Sequence, residues 1–538
     1  MATPSSSAHA GGTGHDRHPR ALSPANLLLT LALSVFGAII GIQMMSRLGI
    51  TPSTSLIGAL AAMSLARVPL AMFRGFRSPH AQNLAQTSIS SATFGAANSL
   101  FLPIGIPFLF GLPEMVTPML VGVSLAMLLD GWLLYRMFDT PVFPARQPWP
   151  VGIATAEAIK AGDSGGRQAR ILAGGLVLGA AGALLGLPMS AFGVALIGGL
   201  SAMAAFGIGL LARAYSTVLT GVDIARLYIP HGMMIGAGLV ALAQVAMLML
   251  RRRPRAGEAA ADPAGAPSNT GLGAALRLGA VGYLAIMVLL AFGTGVYLEM
   301  SPGMLLLFIV YGAFAAFVHE IIVGISAMHA GWFPAFAVAL ITLMIGILMG
   351  LPPQGLVVLA GFSAATGPAF ADMGYDLKTG HLLRGEGADP AFERDGRIQQ
   401  TIAAMLGFGV AIVVVALTHK SLFQQGQTAP IDAAYVAAIR AGISGDTALN
   451  LAIWALPGAL LQWLGGSTRQ LGVLFATGLL IGNPLAGWMV ALGIVVRLLA
   501  SRWMSRSTRE QMEVFAGGVI AGDALLNFLS GFFPHARK

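Results

Sequence analysis

The chain has 538 residues and a formal net charge of +9; 56% of its residues are hydrophobic and only 10% are charged. A soluble domain carries about 25% charged residues, so the composition excludes a soluble protein and indicates an integral membrane protein. The lysines and arginines lie in short segments beside apolar runs, which is typical of residues that orient a chain in a bilayer and not of a nucleic-acid-binding face. Because cysteine is absent from the sequence, a disulfide framework and a thiolate metal site are excluded.

The amino-terminal part begins with a polar tail, residues 1–24, which is predicted to be disordered and cytoplasmic. A helix needs about 20 apolar residues to cross a bilayer. By that measure the amino-terminal membrane half, residues 25–250, contains these candidate crossings: 25–47, 52–73, 82–110, 116–138, 169–187, 189–212 and 230–250.

A low-complexity linker, residues 251–272, follows this half, and its arginines at positions 251–253 and 255 predict a cytoplasmic location. If the amino-terminal tail and the linker both lie in the cytoplasm, the number of crossings between them must be even. The candidates above are seven in number, so one crossing is missing. The best candidate is the segment 213–229, as a polar helix that lines a cavity inside the bundle, where neighbouring helices shield Asp223 and Arg226 from lipid.

The carboxy-terminal membrane half, residues 273–538, contains further candidates: 275–298, 302–324, 325–349, 353–373, 398–417, 446–465, 470–499 and 510–532. The charged segment from Gly374 to Arg397 is predicted to be a cytoplasmic loop. Pro484 can split the run 470–499 into a re-entrant hairpin. The topology of residues 420–538 is therefore left open. The sequence therefore predicts an all-α polytopic membrane protein with about sixteen helical segments in two halves, some of them broken or re-entrant.

Small residues also show a pattern. Glycines recur at four-residue spacing, as in Gly175 with Gly179 and Gly518 with Gly522, and this spacing predicts closely packed helices. The segment AIKAGDSG, residues 158–165, recurs as AIRAGISG, residues 438–445. Duplicated halves are common in secondary transporters, although the number of spans that precede each copy differs.

Ionisable residues inside apolar runs are costly, at about 2.5–3.5 kcal/mol on insertion scales, and so mark candidate sites. Snorkelling to the interface is the expected explanation for three of them: Asp130, His319 and Glu320. Three others lie beside glycines and are expected to face a cavity between interrupted helices: Glu157, Asp223 and Asp523. Asp372 and Asp446 belong to the same set without an assigned role.

Two other functional classes are less well supported. HEIIV, residues 319–323, begins like a zinc protease motif but has valine where the second histidine is required, which disfavours an enzyme. A channel is the second alternative, but scattered carboxylates suit proton coupling better than a ring-shaped selectivity filter. Substrate accumulation that a protonophore dissipates distinguishes a carrier from a channel.

Two short segments combine glycine with charged residues: WPVGIATAEAIKAGDSGG, residues 149–166, and YDLKTGHLL, residues 375–383. They resemble the P-x-G-x-A-x-A-E-x-x-K-A-G-x-x-G-G segment and the Q-D-L-K-T-G-Y-L loop of prokaryotic members of the oligopeptide transporter (OPT) family, which is related to the yellow stripe-like metal-chelate transporters. Three more segments are similar to the second, third and last helices of that family: TPSTSLIGALAAMSL, AQNLAQTSISSATFGAANSLFLPIGIPFL and VFAGGVIAGDALL. The chain departs from the family pattern at Val151, at Tyr375 and in the longer run RGEGADPAFERDG.

The resemblance implies a secondary active transporter that uses the proton gradient to import small peptides or peptide-like metal chelates. The alternatives are a proton-coupled carrier of another small organic solute, or a channel. We expect the bacterial cytoplasmic membrane as its location, with the amino terminus in the cytoplasm, and no enzymatic activity, cofactor or bound metal. The expected partners are the substrate, protons and lipid, without nucleic acid, and a homodimer is left open.

Within this interpretation, proton-coupling or substrate-binding residues are expected in the following set: Glu157, Asp223, His231, Asp523, Gln86 and Asn98. Glu157 follows a proline and glycine break and is the main candidate for a proton or substrate-amine site. His231 is a candidate relay because the unperturbed pKa of histidine lies near neutrality. Asp376 and Lys378, in the predicted loop, are expected to form a cytoplasmic gate.

Overall fold

The computed structural model describes residues 18–48, 55, 58–60, 62–63, 77–164, 166–251, 269–331, 335–442, 445–501 and 506–532. All regular secondary structure in these ranges is helical, apart from one isolated bridge between Phe138 and Phe143. The prediction of an all-α polytopic membrane protein is therefore confirmed. Three predicted segments lie wholly or mostly outside the described residues: the first part of the tail, the span 52–73 and most of the linker.

The helices are numbered in chain order. Those of the amino-terminal half are α1 (Pro24–Leu48), α2 (Pro79–Phe94), α3 (Leu102–Phe110), α4 (Val116–Met137), α5 (Pro150–Ser164), α6 (Gly166–Leu184), α7 (Met189–Ile197), α8 (Leu200–Thr220) and α9 (Ile229–Arg251). Those of the carboxy-terminal half are α10 (Asn269–Gly293), α11 (Pro302–Ala330), α12 (Ala335–Leu348), α13 (Pro353–Ala365), α14 (Pro368–Leu383), α15 (Pro390–Gln424), α16 (Asp432–Ala441), α17 (Gly445–Arg469), α18 (Leu471–Ile481), α19 (Pro484–Ser501) and α20 (Arg506–Phe532). A π-helical segment, Gly95–Phe101, joins α2 to α3.

Among the described residues, nine helical stretches are long and apolar enough to cross a membrane. The surface of α17 shows how such a helix meets lipid, because large apolar side chains lie exposed at three- and four-residue intervals along one stripe: Leu449, Ile453, Leu456, Leu460 and Trp463. In contrast, the stretch formed by α13 and α14 is buried along the whole of its apolar window. That stretch is therefore surrounded by protein.

The predicted crossing at residues 213–229 is wrong. Residues 213–220 are the last turns of α8, which ends at Gly221 with a φ of 72°. A left-handed residue of this kind stops a helix because it directs the chain out of the helical path. The residues from Gly221 to Tyr228 then form a bend and turns, and α9 begins at Ile229.

Several predicted runs are divided in the structure. The run 189–212 is broken at Gly198 and Gly199, between α7 and α8. The run 470–499 is divided immediately before Pro484, which confirms the predicted break at that proline. Two short helices, α5 and α16, were not among the predicted spans because their charged and small residues lower their hydropathy.

The predicted cytoplasmic loop from Gly374 to Arg397 is also wrong. Most of its first part belongs to α14, in which every residue from Pro368 to His381 is buried. Only a short turn separates the end of this helix from α15, which begins at Pro390. The polar residues of the motif are accommodated because other helices supply their hydrogen-bonding partners, as described below.

The two halves interleave. Helix α6 packs along α20, and α9 packs along α17, so each half contributes one helix to each close pair. The short helices follow the same rule, since α7 packs against α19 while α18 packs against α8. The repeated segments AIKAGDSG and AIRAGISG occupy matching positions, at the junctions of α5 with α6 and of α16 with α17. This reciprocal arrangement supports an internal duplication.

Glycine makes the pairing of α6 with α20 possible. A methyl group added at Gly175 or Gly179 would collide with backbone atoms of α20, and one added at Gly518 or Gly522 would collide with backbone atoms of α6. The predicted close packing at these glycines is therefore confirmed. Gly174, the neighbour of Gly175, has open space around its position.

We predict that Gly175→Ala lowers the stability of the protein by about 1–3 kcal/mol, the usual cost of overpacking a close interface. Gly174→Ala is the matched control, because it makes the same change in helix propensity without a collision. Melting temperatures of the two variants in detergent give the comparison. Equal melting temperatures would show that the two helices are not in close contact.

Candidate functional site

The candidate site surrounds α14, the helix that carries the DLKTG motif. This helix packs against α2, α4, α5, α11 and α15, which belong to both halves. Two groups of buried carboxyl side chains lie along it and at its start, and neither group is at the protein surface. A buried helix that is contacted from both halves is where a transporter substrate site is expected.

The first group, here called the Asp372–Asp376 cluster, comprises Ser55, Gln86, Ser90, Asp372 and Asp376. The two carboxylates are one helical turn apart, so they lie on the same face of α14. Oδ1 of Asp376 accepts hydrogen bonds from Ser55 Oγ at 3.1 Å and from Gln86 Nε2 at 2.5 Å. Oδ1 of Asp372 accepts one from Ser90 Oγ at 2.8 Å, and the two serine hydroxyls are 3.0 Å apart.

The second oxygen of each carboxyl group in this cluster has no such partner. Oδ2 of Asp372 and Oδ2 of Asp376 are both buried and accept no hydrogen bond from any residue that the structure describes. The ion pairs formed within the described part of the chain involve other carboxylates. A buried carboxylate is stable only when a cation or a proton neutralises it, so the cluster can bind a positively charged group.

The second group, here called the proton triad, comprises Asp130 on α4, Tyr283 on α10 and Glu320 on α11. The Tyr283 hydroxyl is 2.7 Å from Asp130 Oδ1 and also contacts Glu320 Oε1. All three side chains are almost completely removed from solvent. The prediction that Asp130, His319 and Glu320 snorkel to the interface is therefore wrong; each side chain is held inside by neighbouring helices.

The triad is attached to the break between α13 and α14. Oδ2 of Asp130 accepts a hydrogen bond of 2.9 Å from the backbone N–H of Gly367, the residue that precedes α14. Gly367 has a φ of 95°, a conformation that favours glycine. Beside it, the Thr366 hydroxyl is 3.4 Å from His319 Nδ1. The break thus leaves the Gly367 N–H available as a donor, and the Asp130 carboxyl group accepts its hydrogen bond.

At the other end of α14, an ionic network joins this helix to α15. The guanidinium of Arg384 donates to Glu393 at 2.8 Å, and that of Arg397 donates to the same carboxylate at 2.7 Å. The Gln400 side-chain amide accepts from Arg384 at 3.1 Å and donates to the Asp376 carbonyl oxygen. The network is therefore continuous with the Asp372–Asp376 cluster.

The described end of the amino-terminal tail packs on the same network. The ring of His18 lies 5.2 Å from that of Phe392, and Ala21 N–H donates to Gln399 at 3.0 Å. Burial lowers the pKa of His18 to about 4, so its ring is neutral at neutral pH and packs as an aromatic group. The tail and the start of α15, both predicted to be cytoplasmic, therefore lie on the same side of the molecule.

The structure brings together two of the residues singled out from sequence, since Gln86 hydrogen-bonds to Asp376. The predicted loop position of Asp376 and Lys378 is wrong, because both residues lie within buried α14. Their role as a cytoplasmic gate stays a prediction. Lys378 does not pair with a carboxylate there; its ammonium donates to the Ala145 carbonyl oxygen at 2.8 Å.

The remaining predicted residues lie away from this cluster. Asp223 is in the turn after α8 and pairs with Arg213 at 2.7 Å, so its predicted place in a crossing helix is wrong. Glu157 on α5 pairs with Lys160 at 3.0 Å. Asp523 on α20 accepts from the backbone N–H of Ser190 at 3.0 Å, where it caps the start of α7.

The other two belong to the ends and irregular parts of helices. His231 lies in the first turn of α9, and its Nδ1 is buried without a hydrogen-bond partner. Asn98 lies in the π-helical segment and donates to the Phe94 carbonyl oxygen at 3.3 Å. Segments of this kind occur frequently at functional sites. Roles for Glu157, Asp523, His231 and Asn98 in transport stay predictions.

Sequence reasoning missed Tyr283 and Gln400 and assigned no role to Asp372. Tyr283 is a single tyrosine in an apolar span, a position that packing alone explains adequately. Asp372 carried a usable signal, because it lies four residues before Asp376 and shares its helical face if the motif is helical. The assignment of that motif to a loop concealed this relation.

Comparison with known families agrees with this architecture. The sequence model of the family described as OPT oligopeptide transporter protein matches residues 21–241 and 214–534, which together cover nearly the whole chain. The chain belongs to the OPT family. No curated protein matches it. OPT proteins are transporters, so the buried polar groups around α14 are considered below as parts of a transport pathway.

For the OPT chain, we predict that Glu393→Gln is strongly destabilising, because it leaves the Arg384 and Arg397 guanidinium groups without their shared counter-ion. Removing one partner of a buried ion pair costs about 3–5 kcal/mol. Glu386→Gln, which changes an exposed glutamate in the adjacent turn, is the control. A melting temperature in detergent that is equal for both variants would contradict a structural role for this network.

Proposed function

We propose that this OPT protein is a secondary active transporter that couples the inward movement of protons to the uptake of small peptides or peptide-like metal chelates. We place it in the cytoplasmic membrane of a bacterium, with its amino terminus in the cytoplasm, and propose no catalytic activity. Family membership supports transport itself. The coupling ion and the substrate class are inferred from the buried site.

The observation that carries the proposal is the pair of open carboxylate oxygens in the Asp372–Asp376 cluster. Two carboxyl groups with an unpartnered oxygen each require a positive charge inside the protein. Peptides and peptide-like chelators carry ammonium groups that can supply this charge. In the absence of substrate, protons neutralise the same oxygens.

The position of the cluster suits alternating access. Gln86 and Ser90 belong to α2 in the amino-terminal half, while Asp372 and Asp376 belong to α14 in the carboxy-terminal half. A substrate bound between them contacts both halves. The break at Gly367, one turn before Asp372, gives α14 a point about which it can change direction relative to α13.

The primary test is uptake into proteoliposomes that contain the purified protein, under an imposed pH gradient that is acidic outside. We expect accumulation of tritiated dialanine or of the copper(II)–triglycine chelate, and its loss on addition of a protonophore. Protein-free liposomes are the control. Uptake that only equilibrates the probe and ignores the gradient would indicate a channel or a uniporter.

Competition distinguishes the substrate classes. Unlabelled peptides of two to six residues, metal chelates of short peptides, and small organic acids without an amino group are each added in excess to the uptake assay. Inhibition by the first two groups supports the proposal. Inhibition by the amine-free solutes alone would support a proton-coupled carrier of another small organic solute.

We predict that Asp376→Asn weakens substrate binding, because asparagine keeps the shape and the Gln86 contact but removes the negative charge. A hydrogen bond to a charged group is worth about 1.5–3 kcal/mol, which corresponds to an affinity loss of about 10- to 100-fold. Gradient-driven uptake and substrate exchange at equal pH should both decline. Glu114→Gln, at an exposed turn, is the matched control, and wild-type KM in Asp376→Asn would contradict the assignment.

A further inference from the structure

The proton triad contains more hydrogen-bonded contacts than its tyrosine can supply with protons. The Tyr283 hydroxyl contacts Asp130 and Glu320 at once, and the two carboxyl groups also lie in hydrogen-bonding contact with each other. A hydroxyl group has one hydrogen, so Tyr283 can donate to only one of the two. At least one carboxyl group must therefore carry a proton of its own for the contacts to be attractive.

The surroundings of the triad supply no alternative positive charge. No lysine or arginine forms an ion pair with Asp130 or Glu320 among the residues that the structure describes. Along α4 and α10 the next charged side chains, Arg136 and Arg277, are exposed. Helix α13 has no charged residue. Two ionised carboxylates in contact here would repel each other strongly.

Two more titratable groups face the triad or its break. His319, next to Glu320 on α11, borders Gly367, and its Nε2 is buried without a hydrogen-bond partner. On α14 the nearest titratable group is Asp372, which directs one oxygen to Ser90 and belongs to the other cluster. Of the other helices that pack on α11, α12 and α18 carry no charged residue. Arg213 of α8 pairs with Asp223, Glu157 of α5 pairs with Lys160, and α9 carries His231 in its first turn.

The triad is mechanically connected to the substrate cluster. Asp130 holds the N–H of Gly367 through Oδ2, and Gly367 is the last residue before α14. Asp372 and Asp376 lie further along the same helix. If the triad loses its proton, repulsion between Asp130 and Glu320 favours their separation, and the hydrogen bond transmits any movement of Asp130 to the start of α14.

We propose that Asp130, Tyr283 and Glu320 form the site that carries the coupling proton, and that its protonation sets the direction of α14 at the Gly367 break. One proton enters from the outer side, converts a carboxylate of the pair into a carboxylic acid, and leaves to the cytoplasmic side. No bond other than O–H forms or breaks. This inference rests on the proposed function, and it separates the proton site from the substrate site.

The decisive variant is Glu320→Gln, because a glutamine resembles the protonated glutamate: it accepts from Tyr283 and donates to Asp130. We expect it to retain exchange of tritiated dialanine or copper(II)–triglycine at equal pH, since exchange requires no net proton movement. We also expect it to lose gradient-driven accumulation and substrate-dependent acidification of the liposome lumen. Asp376→Asn should differ from it, because exchange declines together with gradient-driven accumulation.

Asp130→Asn is the second variant, and it tests the same site if Glu320→Gln fails to fold. The controls are Glu299→Gln, at an exposed position, and Tyr297→Phe. Wild-type coupling in Glu320→Gln and Asp130→Asn would overturn the inference and leave the proposed function intact. Loss of exchange in folded protein would also overturn it, because it would indicate a substrate-binding or structural role. Absence of gradient-driven uptake in the wild-type protein would instead refute the proposed function.

A substrate-independent measurement tests the same site. A protonated carboxyl group absorbs in the infrared at a carbonyl stretching frequency that a carboxylate lacks. We expect the wild-type protein at neutral pH to show a carboxylic acid band that is reduced in Glu320→Gln. A band that is unchanged in both Glu320→Gln and Asp130→Asn would show that the triad holds no carboxyl proton and would contradict the proposal even if transport cannot be measured.

Discussion

The low polarity around α14 is the physical constraint on which the rest of this structure depends. Asp130, Glu320, Asp372 and Asp376 are all buried, and an uncompensated charge in such surroundings is expensive. Each carboxyl group therefore has to be neutralised by a proton, a cation or donors from another helix. The donors are the hydroxyl groups of Ser55, Ser90 and Tyr283, the Gln86 amide and the Gly367 N–H. The carboxylate oxygens that these donors leave without a hydrogen bond have to bind a proton or a cation.

The same constraint explains why the two groups have different chemistry. In the triad, the Tyr283 hydroxyl contacts one oxygen of each carboxyl group, and the second oxygen of Asp130 accepts from the Gly367 N–H. In the Asp372–Asp376 cluster, one oxygen of each carboxylate remains open, and the donors on the other oxygen are neutral serine and glutamine side chains. The break at Gly367 lies between the two groups. We therefore expect a change in charge at one group to act on the Gly367 break before it affects the other group.

Much of the architecture follows from composition and spacing. The hydropathy of the chain predicts α1, α4, α6, α9 and α20 at nearly their observed limits, and the glycine spacing predicts the contact between α6 and α20. The errors have one cause: a polar residue in an apolar run is compatible both with a buried helix and with a turn or loop. Residues 213–229 looked like a shielded helix but contain a turn at which Asp223 pairs with Arg213, and both side chains are only partly buried. The DLKTG motif looked like a loop but is a buried helix, because its partners on α2, α5 and α15 are distant in sequence and invisible to local patterns.

The reciprocal pairing of the halves has a consequence for how the protein is made. Helices α6 and α9 leave the ribosome long before their partners α20 and α17, and until then the glycine face of α6 has only lipid against it. Lipid cannot fill a surface shaped for another backbone as well as that backbone does. The packing of the amino-terminal half is therefore incomplete until α17 and α20 have been inserted.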